Sequence, residues 1–433
     1  MEKLKKAAEY ILSSLKKEGA DHAQVSVSEG RVEEFNVDAG EFSLIRSVFN
    51  SGASMKVIKD RRKGTAAVNQ LDKEAIDNAV SECMAAADTG VEDDALSIAE
   101  KEENCDFVSG ALSPDKQAFF RSLMKFTADV KEQFPEIMLE QVIASYSYGK
   151  HAFANTNGVL FTEEDGSYSV SIMYSAHRED SVTSFNCVAV DFLDPNQDIL
   201  EAADVKTMFI RAVKELDSQP FSGKFTGTAV FSPACLCEFV SNIAESFAGD
   251  LSLIEGTSPW KDSLGKKVAH EDFTLSVIPE SDEIVCGEKI TSDGYKSKNF
   301  DIIKDGILQS YCLSEYAARK TGLTRAPSTS GCIKVEEGER SLDEIIADIS
   351  DGILVCRFSG GEPAGNGDFS GVAKNSFLIS DGKIAGALTE TMISGNMAQM
   401  LKSLKGISRE SVNYGACIMP YAAFDGITVS GAN

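Results

Sequence analysis

The sequence predicts an α+β protein, with mixed helix and antiparallel-sheet domains in its N-terminal half. A β-rich, barrel-like or sandwich-like domain is predicted to follow in its C-terminal half. Three observations predict this. Apolar residues at helical spacing alternate with shorter strand-like runs along the whole chain. Asx-Gly dipeptides, the strongest short hairpin signal, recur at Asn157-Gly158, Asp165-Gly166, Asp305-Gly306 and Asp381-Gly382. Such tight turns join antiparallel neighbours, whereas a doubly wound parallel sheet needs long crossovers. The 433 residues are enough for more than one domain and a sizeable core.

In the first stretch, Leu4, Ala7, Ala8, Ile11, Leu12 and Leu15 predict a helix over 3–18. Residues 23–67 turn β-rich, and the alternation is clearest in Ser54-Met-Lys-Val-Ile58. Ile76, Ala79, Val80, Cys83, Met84 and Ala87 then share one helical face over 73–87. These elements make an N-terminal α+β domain, 1–88. Residues 89–112, with Glu92-Asp-Asp94 and Glu100-Lys-Glu-Glu103, read as an acidic linker. Ser113-Pro114 supplies an N-cap and first-turn proline for a helix that buries Phe119, Leu123, Phe126 and Val130. Strands run from Met138 to Leu193, and a helix is expected over 199–217, completing a middle α+β domain, 113–219.

Ser218-Gln-Pro220 and Gly223 open a C-terminal domain, 220–433. Thr226–Phe231 reads as a strand. Ser232-Pro233 begins a helix with Leu236, Phe239, Val240, Ile243, Ala244 and Phe247 on one stripe. Asp305-Gly306 and Asp381-Gly382 each predict a hairpin. Ser341-x-x-Glu344 is a capping box ahead of Ile345, Ile346 and Ile349, with Gly352 as the expected stop.

Charge narrows the functions available. The chain has 42 basic and 67 acidic residues, a net charge of −25. Such a surface repels phosphate backbones and anionic membranes, so neither nucleic acid nor membrane is an expected partner. No apolar run approaches the ~18 residues of a membrane span. The opening residues are amphipathic rather than an apolar run with a cleavage site, so no signal peptide is expected. Ten cysteines with no short-spaced framework imply reduced thiols and a cytoplasmic location.

The motif search yields no complete catalytic constellation. Four histidines are present, His22, His151, His177 and His270, none at helical metal-ligand spacing. His270-Glu271 is not followed by a second nearby histidine. Cys235-x-Cys237 lies on a helix, where a one-residue gap turns the thiols about 200° apart and keeps them from sharing an ion. A nucleophile elbow and a phosphate-binding loop are both missing from the pattern. The most unusual segment runs from Gly360 to Asp368. Its glycines permit close backbone approach, and Gly360, Gly361, Glu362, Asn366 and Asp368 are candidates for holding a peptide amine or an ion, against a plain loop as the alternative.

From residue 232 onward the chain carries an ordered series of segments. These are Gly256-Thr-Ser-Pro-Trp260, Asp262-Ser-Leu-Gly-Lys-Lys-Val268, Asp305-Gly-Ile-Leu-Gln-Ser-Tyr311, Gly367-Asp-Phe-Ser370, Ile379-Ser-Asp-Gly-Lys-Ile384, Ile393-Ser-Gly-Asn396 and Gly415-Ala-Cys417. In this order they resemble the C-terminal domain of the TldD/PmbA family, the modulator of DNA gyrase peptidases. Ser51-Gly-Ala-Ser-Met-Lys-Val57 and Leu71-Asp-Lys-Glu-Ala-Ile76 resemble its first domain more loosely.

Metal-bearing members of that family carry His-Glu-x-x-x-His on the helix before the Ser-Pro-aromatic segment. Counting back without gaps puts those positions on Ser241, Asn242 and Ser246, and the further ligand on Cys417. A hydroxyl is a poor zinc ligand and an amide is no base at neutral pH, so the resemblance implies the PmbA (TldE) branch, with no metal and no catalytic residue of its own. It also implies a TldD-like, zinc-bearing partner of the same fold, with which the chain would process small or unfolded peptides while being inactive alone. Two alternatives stand beside this. One is a peptide-binding regulatory homodimer. The other is a hydrolase with an unrelated site near Gly360–Asp368 or Cys417.

Overall fold

The computed structural model describes residues 1–360, 363–389 and 391–431. Its N-terminal half is built on one eight-stranded sheet. Helix α1 (Glu2–Lys17) leads into β1 (His22–Asp38), β2 (Glu41–Lys59) and β3 (Arg62–Val68), and α2 (Lys73–Thr89) follows. Next come β4 (Cys105–Val108), α3 (Lys116–Gln133), β5 (Ile137–Asn155), β6 (Leu160–Arg178), β7 (Ser181–Val182) and β8 (Asn186–Phe192). The main strand order is β3-β2-β1-β5-β6-β4, with β7 and β8 also pairing with β6. All pairs are antiparallel except β4 with β6.

This sheet merges the stretches expected as separate domains, 1–88 and 113–219. β1 pairs with β5 from Gln24↔Asn155 to Asp38↔Gln141, a ladder that local sequence spacing does not reveal. Strand β1 feeds two cores. Val25 and Val27 of β1 pack with Leu4, Ile11, Ile76 and Val80 beneath α1 and α2. Phe35 and Val37 pack with Phe119, Phe126, Val142, Tyr168 and Phe209 beneath α3 and the helix that follows the sheet. The expected linker 89–112 contributes β4 and buries Ala95, Ile98 and Ala99.

Other expectations shift for identifiable reasons. The α3 cap is Asp115, whose carboxylate accepts from the Ala118 N–H, rather than Ser113. Asn157-Gly158 does turn the chain between β5 and β6. Asp165-Gly166 instead lies inside β6, opposite Gly149 and Tyr148. Its glycine serves close approach: a Cβ there would sit 2.1 Å from the Ala111 carbonyl oxygen, whose N–H binds back to Gly166 at 2.7 Å.

The helix expected over 199–217 is a short 3₁₀ turn, Ile199–Glu201, followed by α4 (Val205–Glu215). The C-terminal half then forms a fourteen-stranded mixed sheet. The strand Ile418–Ser430 runs through its middle, with seven consecutive buried residues from Ile418 to Phe424. It pairs with Lys224–Phe231, Leu404–Asn413 and Met392–Asn396. Both late hairpins form as expected. Asp305 and Gly306, and again Asp381 and Gly382, have positive φ, as a two-residue turn requires. The capping box at Ser341 is present, but its helix, Leu342–Ala347, ends before Gly352, which lies in the strand Asp351–Val355. A Cβ on Gly352 would approach the Thr228 carbonyl oxygen to 2.6 Å, so packing demands the glycine there. Among the described residues no helix is long and apolar enough to cross a membrane.

Candidate functional site

Helix α5 (Pro233–Ala248) is capped as its sequence dictates, with the Ser232 hydroxyl accepting from the Cys235 N–H and proline in the first turn. Its two faces separate sharply. Leu236, Phe239, Val240, Ile243 and Phe247 enter the C-terminal core, where Phe239 packs on Phe231, Phe358 and Phe369. Ala234, Cys237, Glu238, Ser241, Asn242 and Glu245 form the opposite stripe and line an open cleft of about 450 Å³. Cys187, Val188 and Ala189 of β8 line it too, so the cleft lies between the two sheets, and Tyr414 and Cys417 close it.

The landmark segments that hold Ser258, Tyr311 and Gly367 converge on α5. Ser258 is buried, donates to the Phe247 carbonyl oxygen at 2.5 Å and accepts from the Trp260 N–H at 3.0 Å. Trp260 packs edge-on against Phe247, and the Tyr311 hydroxyl donates to the Trp260 carbonyl oxygen at 2.5 Å. Gly367 lies against the same helix, since a Cβ there would meet the Phe247 ring at 2.6 Å. These segments therefore fix the end of the helix that carries the site.

Cys417 arrives through a tight turn. Gly415 has φ +90°, and a Cβ on it would sit 2.5 Å from the Asp191 carbonyl oxygen. The Asp191 N–H donates to the Tyr414 carbonyl oxygen at 2.9 Å, which clamps the turn onto β8. Cys417 Sγ then lies 3.1 Å from Cys237 Sγ. Contact with Cys417 holds the Cys237 thiol below its ordinary value, against burial, and the Ser241 hydroxyl adds to the effect. Cys417 is raised by the same contact and by burial. Cys235 is buried in the core, so the Cys235 and Cys237 side chains point apart as helical geometry requires.

Ser241, Asn242 and Cys417 thus line one cleft. Ser246 is outside the cleft lining, and Glu245 takes its place. The Asn242 amide is tied to its own helix, donating to the Glu238 carbonyl oxygen at 2.9 Å. Burial raises Glu238, opposed by Arg357. A catalytic zinc needs three or more converging protein ligands. Among the described residues no three His, Cys, Asp or Glu side chains form such a group. The cleft lining offers three thiols, Cys187, Cys237 and Cys417, two carboxylates, Glu238 and Glu245, a hydroxyl and an amide, without three of the thiols and carboxylates converging.

Gly361 and Glu362 lie outside the described residues. Gly360 ends the strand Arg357–Gly360, and Asn366 and Asp368 are exposed away from the cleft lining. Asp368 accepts from Asn396 Nδ2 and from Asn366 Nδ2, both at 2.8 Å, which holds it below the usual carboxylate range.

Sequence reasoning missed a buried polar layer behind the cleft. Tyr414 Oη donates to Asp204 at 3.2 Å, Arg211 donates to Tyr421 Oη at 3.0 Å, and Asn375 donates to Glu215 at 2.7 Å. Burial raises Asp204 and pushes Glu215 up to about 7. The only local signal was two acids at the ends of an amphipathic helix, which normally marks a solvated face.

The fold is built on two sheets, with helix α5 bordering the cleft between them. Residues 222–431 match the PmbA/TldA metallopeptidase C-terminal domain and residues 23–87 match the PmbA/TldA metallopeptidase domain 1. The chain belongs to the PmbA/TldD family. It is 24% identical to a metalloprotease PmbA homolog of Haemophilus influenzae, over 94% of this chain and 91% of the relative. It is likewise 24% identical to the metalloprotease PmbA of Escherichia coli O157:H7, over 93% and 91%. Its fold matches the crystal structure of TldE from Thermococcus kodakarensis with a TM-score of 0.84 at 20% identity, covering 98% of this chain and all of that one. A Bacteroides thetaiotaomicron protein described as a modulator of DNA gyrase matches equally, with a TM-score of 0.84 at 21% identity and 99% coverage of both chains.

Proposed function

We propose that this chain is the metal-less, non-catalytic subunit of a TldD/PmbA-type peptidase complex that processes small or unfolded peptides. The observation that carries the reading is the cleft face of α5. It presents Ser241 and Asn242, next to Cys417, where peptide hydrolysis needs imidazole ligands and a carboxylate base. In this reading a histidine-bearing relative of the same fold supplies the zinc, which polarises the scissile carbonyl and activates water. This chain supplies cavity wall and peptide contacts. Its apolar cleft lining, Val188, Ala189 and Ala234, suits side chains of an extended peptide, and Glu238 and Glu245 suit a basic group on it.

A free sheet edge supports a partner chain. β3 covers only Ala53–Lys59 of β2, so Glu41–Gly52 pairs on one side alone among the described residues. Leu44, Ile45 and Phe49 are exposed there, Phe49 to 74%. A long apolar edge is a template for pairing with another chain. The same edge favours a second reading, a regulatory homodimer without enzymatic role.

Co-expression with the histidine-bearing relative from the same genome tests the proposal. A stable complex that cleaves unstructured peptides, with neither chain alone matching its activity, is the expected result. A homodimer that ignores that relative supports the second reading instead.

A further inference from the structure

Cys237 and Cys417 are 180 residues apart in the chain, yet their sulfurs lie 3.1 Å apart. Neither belongs to the closed core: both are half-buried and line the cleft. A disulfide needs about 2.05 Å between sulfurs, so about 1 Å of further approach would bond them. The pair is held from both sides. Cys237 is fixed on α5 with the Ser241 hydroxyl supporting its sulfur, and Cys417 is fixed by the turn at Gly415. The other cleft thiol, Cys187, is more exposed.

We propose that Cys237 and Cys417 form a peroxide-reactive dithiol that closes to an intramolecular disulfide across the cleft. The Cys237 thiolate attacks the outer oxygen of a hydroperoxide. The O–O bond breaks, the remaining alkoxide leaves as an alcohol after taking a proton, and Cys237 becomes a sulfenic acid. The Cys417 sulfur then attacks the Cys237 sulfur. The S–O bond breaks, the S–S bond forms, and hydroxide leaves with the Cys417 proton as water. Two thiols lose two electrons in total, and the hydroperoxide is reduced to one alcohol and one water.

Cys417 packs against both the C-terminal core and the core beneath α3 and β8, so the bond would tie α5 to the junction of the sheets. It would also remove both sulfurs as soft donors from the cleft. This inference goes beyond the peptidase reading and does not rest on it.

The test uses the full chain alone, treated with hydrogen peroxide, alkylated and mapped by mass spectrometry without reduction. The expected product is one peptide pair joined through Cys237 and Cys417, lighter by two hydrogens and separated again by dithiothreitol. Cys187→Ser should leave that product unchanged. Cys417→Ser should trap a sulfenic acid at Cys237, seen as a dimedone adduct at that residue above all others. Should Cys417→Ser fail to fold, the map of the unaltered chain decides alone. The proposal fails if Cys237 and Cys417 remain alkylatable while other cysteines oxidise, or if both oxidise without becoming linked.

Discussion

Glu215 is the residue whose environment departs furthest from what its position in an amphipathic helix suggests. Burial pushes it up to about 7, and Asn375, Arg211 and Arg357 only partly oppose this. The folded chain therefore keeps a proton that the unfolded chain has already released. Stability falls as pH rises from the ordinary carboxyl value towards about 7, by on the order of 3 kcal/mol for this group. Glu215→Gln keeps an oxygen for the Asn375 amide and removes the penalty. Its melting temperature should gain on the parent between about pH 5 and about pH 8, by on the order of a few degrees. An equal offset at both pH values would contradict the assignment. Gly415 is held by backbone geometry rather than by charge. With φ +90° and the Asp191 carbonyl 2.5 Å from a would-be Cβ, Gly415→Ala should cost roughly 2–4 kcal/mol in urea unfolding. The pairing of Cys237 with Cys417 was not legible, because nothing local links positions 180 residues apart. What was legible was the apolar stripe of α5, Leu236, Phe239, Val240, Ile243 and Phe247, which leaves the opposite face to the cleft.

Elements were read best where cap or turn chemistry is local. Ser232, the Ser341–Glu344 box and the hairpins at Asp305-Gly306 and Asp381-Gly382 all form where the sequence put them. Asp165-Gly166 and Gly352 misled because a glycine required by a neighbouring backbone looks, in sequence, like one required by a turn. The Ser-Pro-Trp segment has a definite mechanical role at this scale. Ser258→Ala removes a buried hydroxyl that serves both the Phe247 carbonyl and the Trp260 N–H, and should cost about 1–3 kcal/mol by denaturant unfolding. Helix α5 also allows a gain-of-function test. Ser241→His would place an imidazole one turn from Cys237 and near Cys417, with Glu245 a further turn along the same face. Zinc titration of this variant should show stoichiometric uptake that Cys417→Ala abolishes. No uptake would mean that this stripe and Cys417 do not converge closely enough to hold an ion.

For the whole molecule, local patterns gave the α+β class but not the single sheet that joins residues 22–68 to residues 137–192. Those ladders pair distant strands, and no periodicity encodes which strand finds which. The free edge of β2 is likewise a property of assembled sheets. If it seats a partner chain, Phe49→Asp should weaken the complex at least tenfold in sedimentation analysis while leaving the fold of the isolated chain intact. The central claim concerns division of labour, with this chain shaping a peptide site that another chain activates. Peptide hydrolysis by the purified chain, alone and after mixing with its histidine-bearing relative, tests that claim most directly. Turnover only in the mixture, abolished by a chelator and restored by zinc, is the predicted result. Chelator-sensitive turnover by the chain alone would contradict the account.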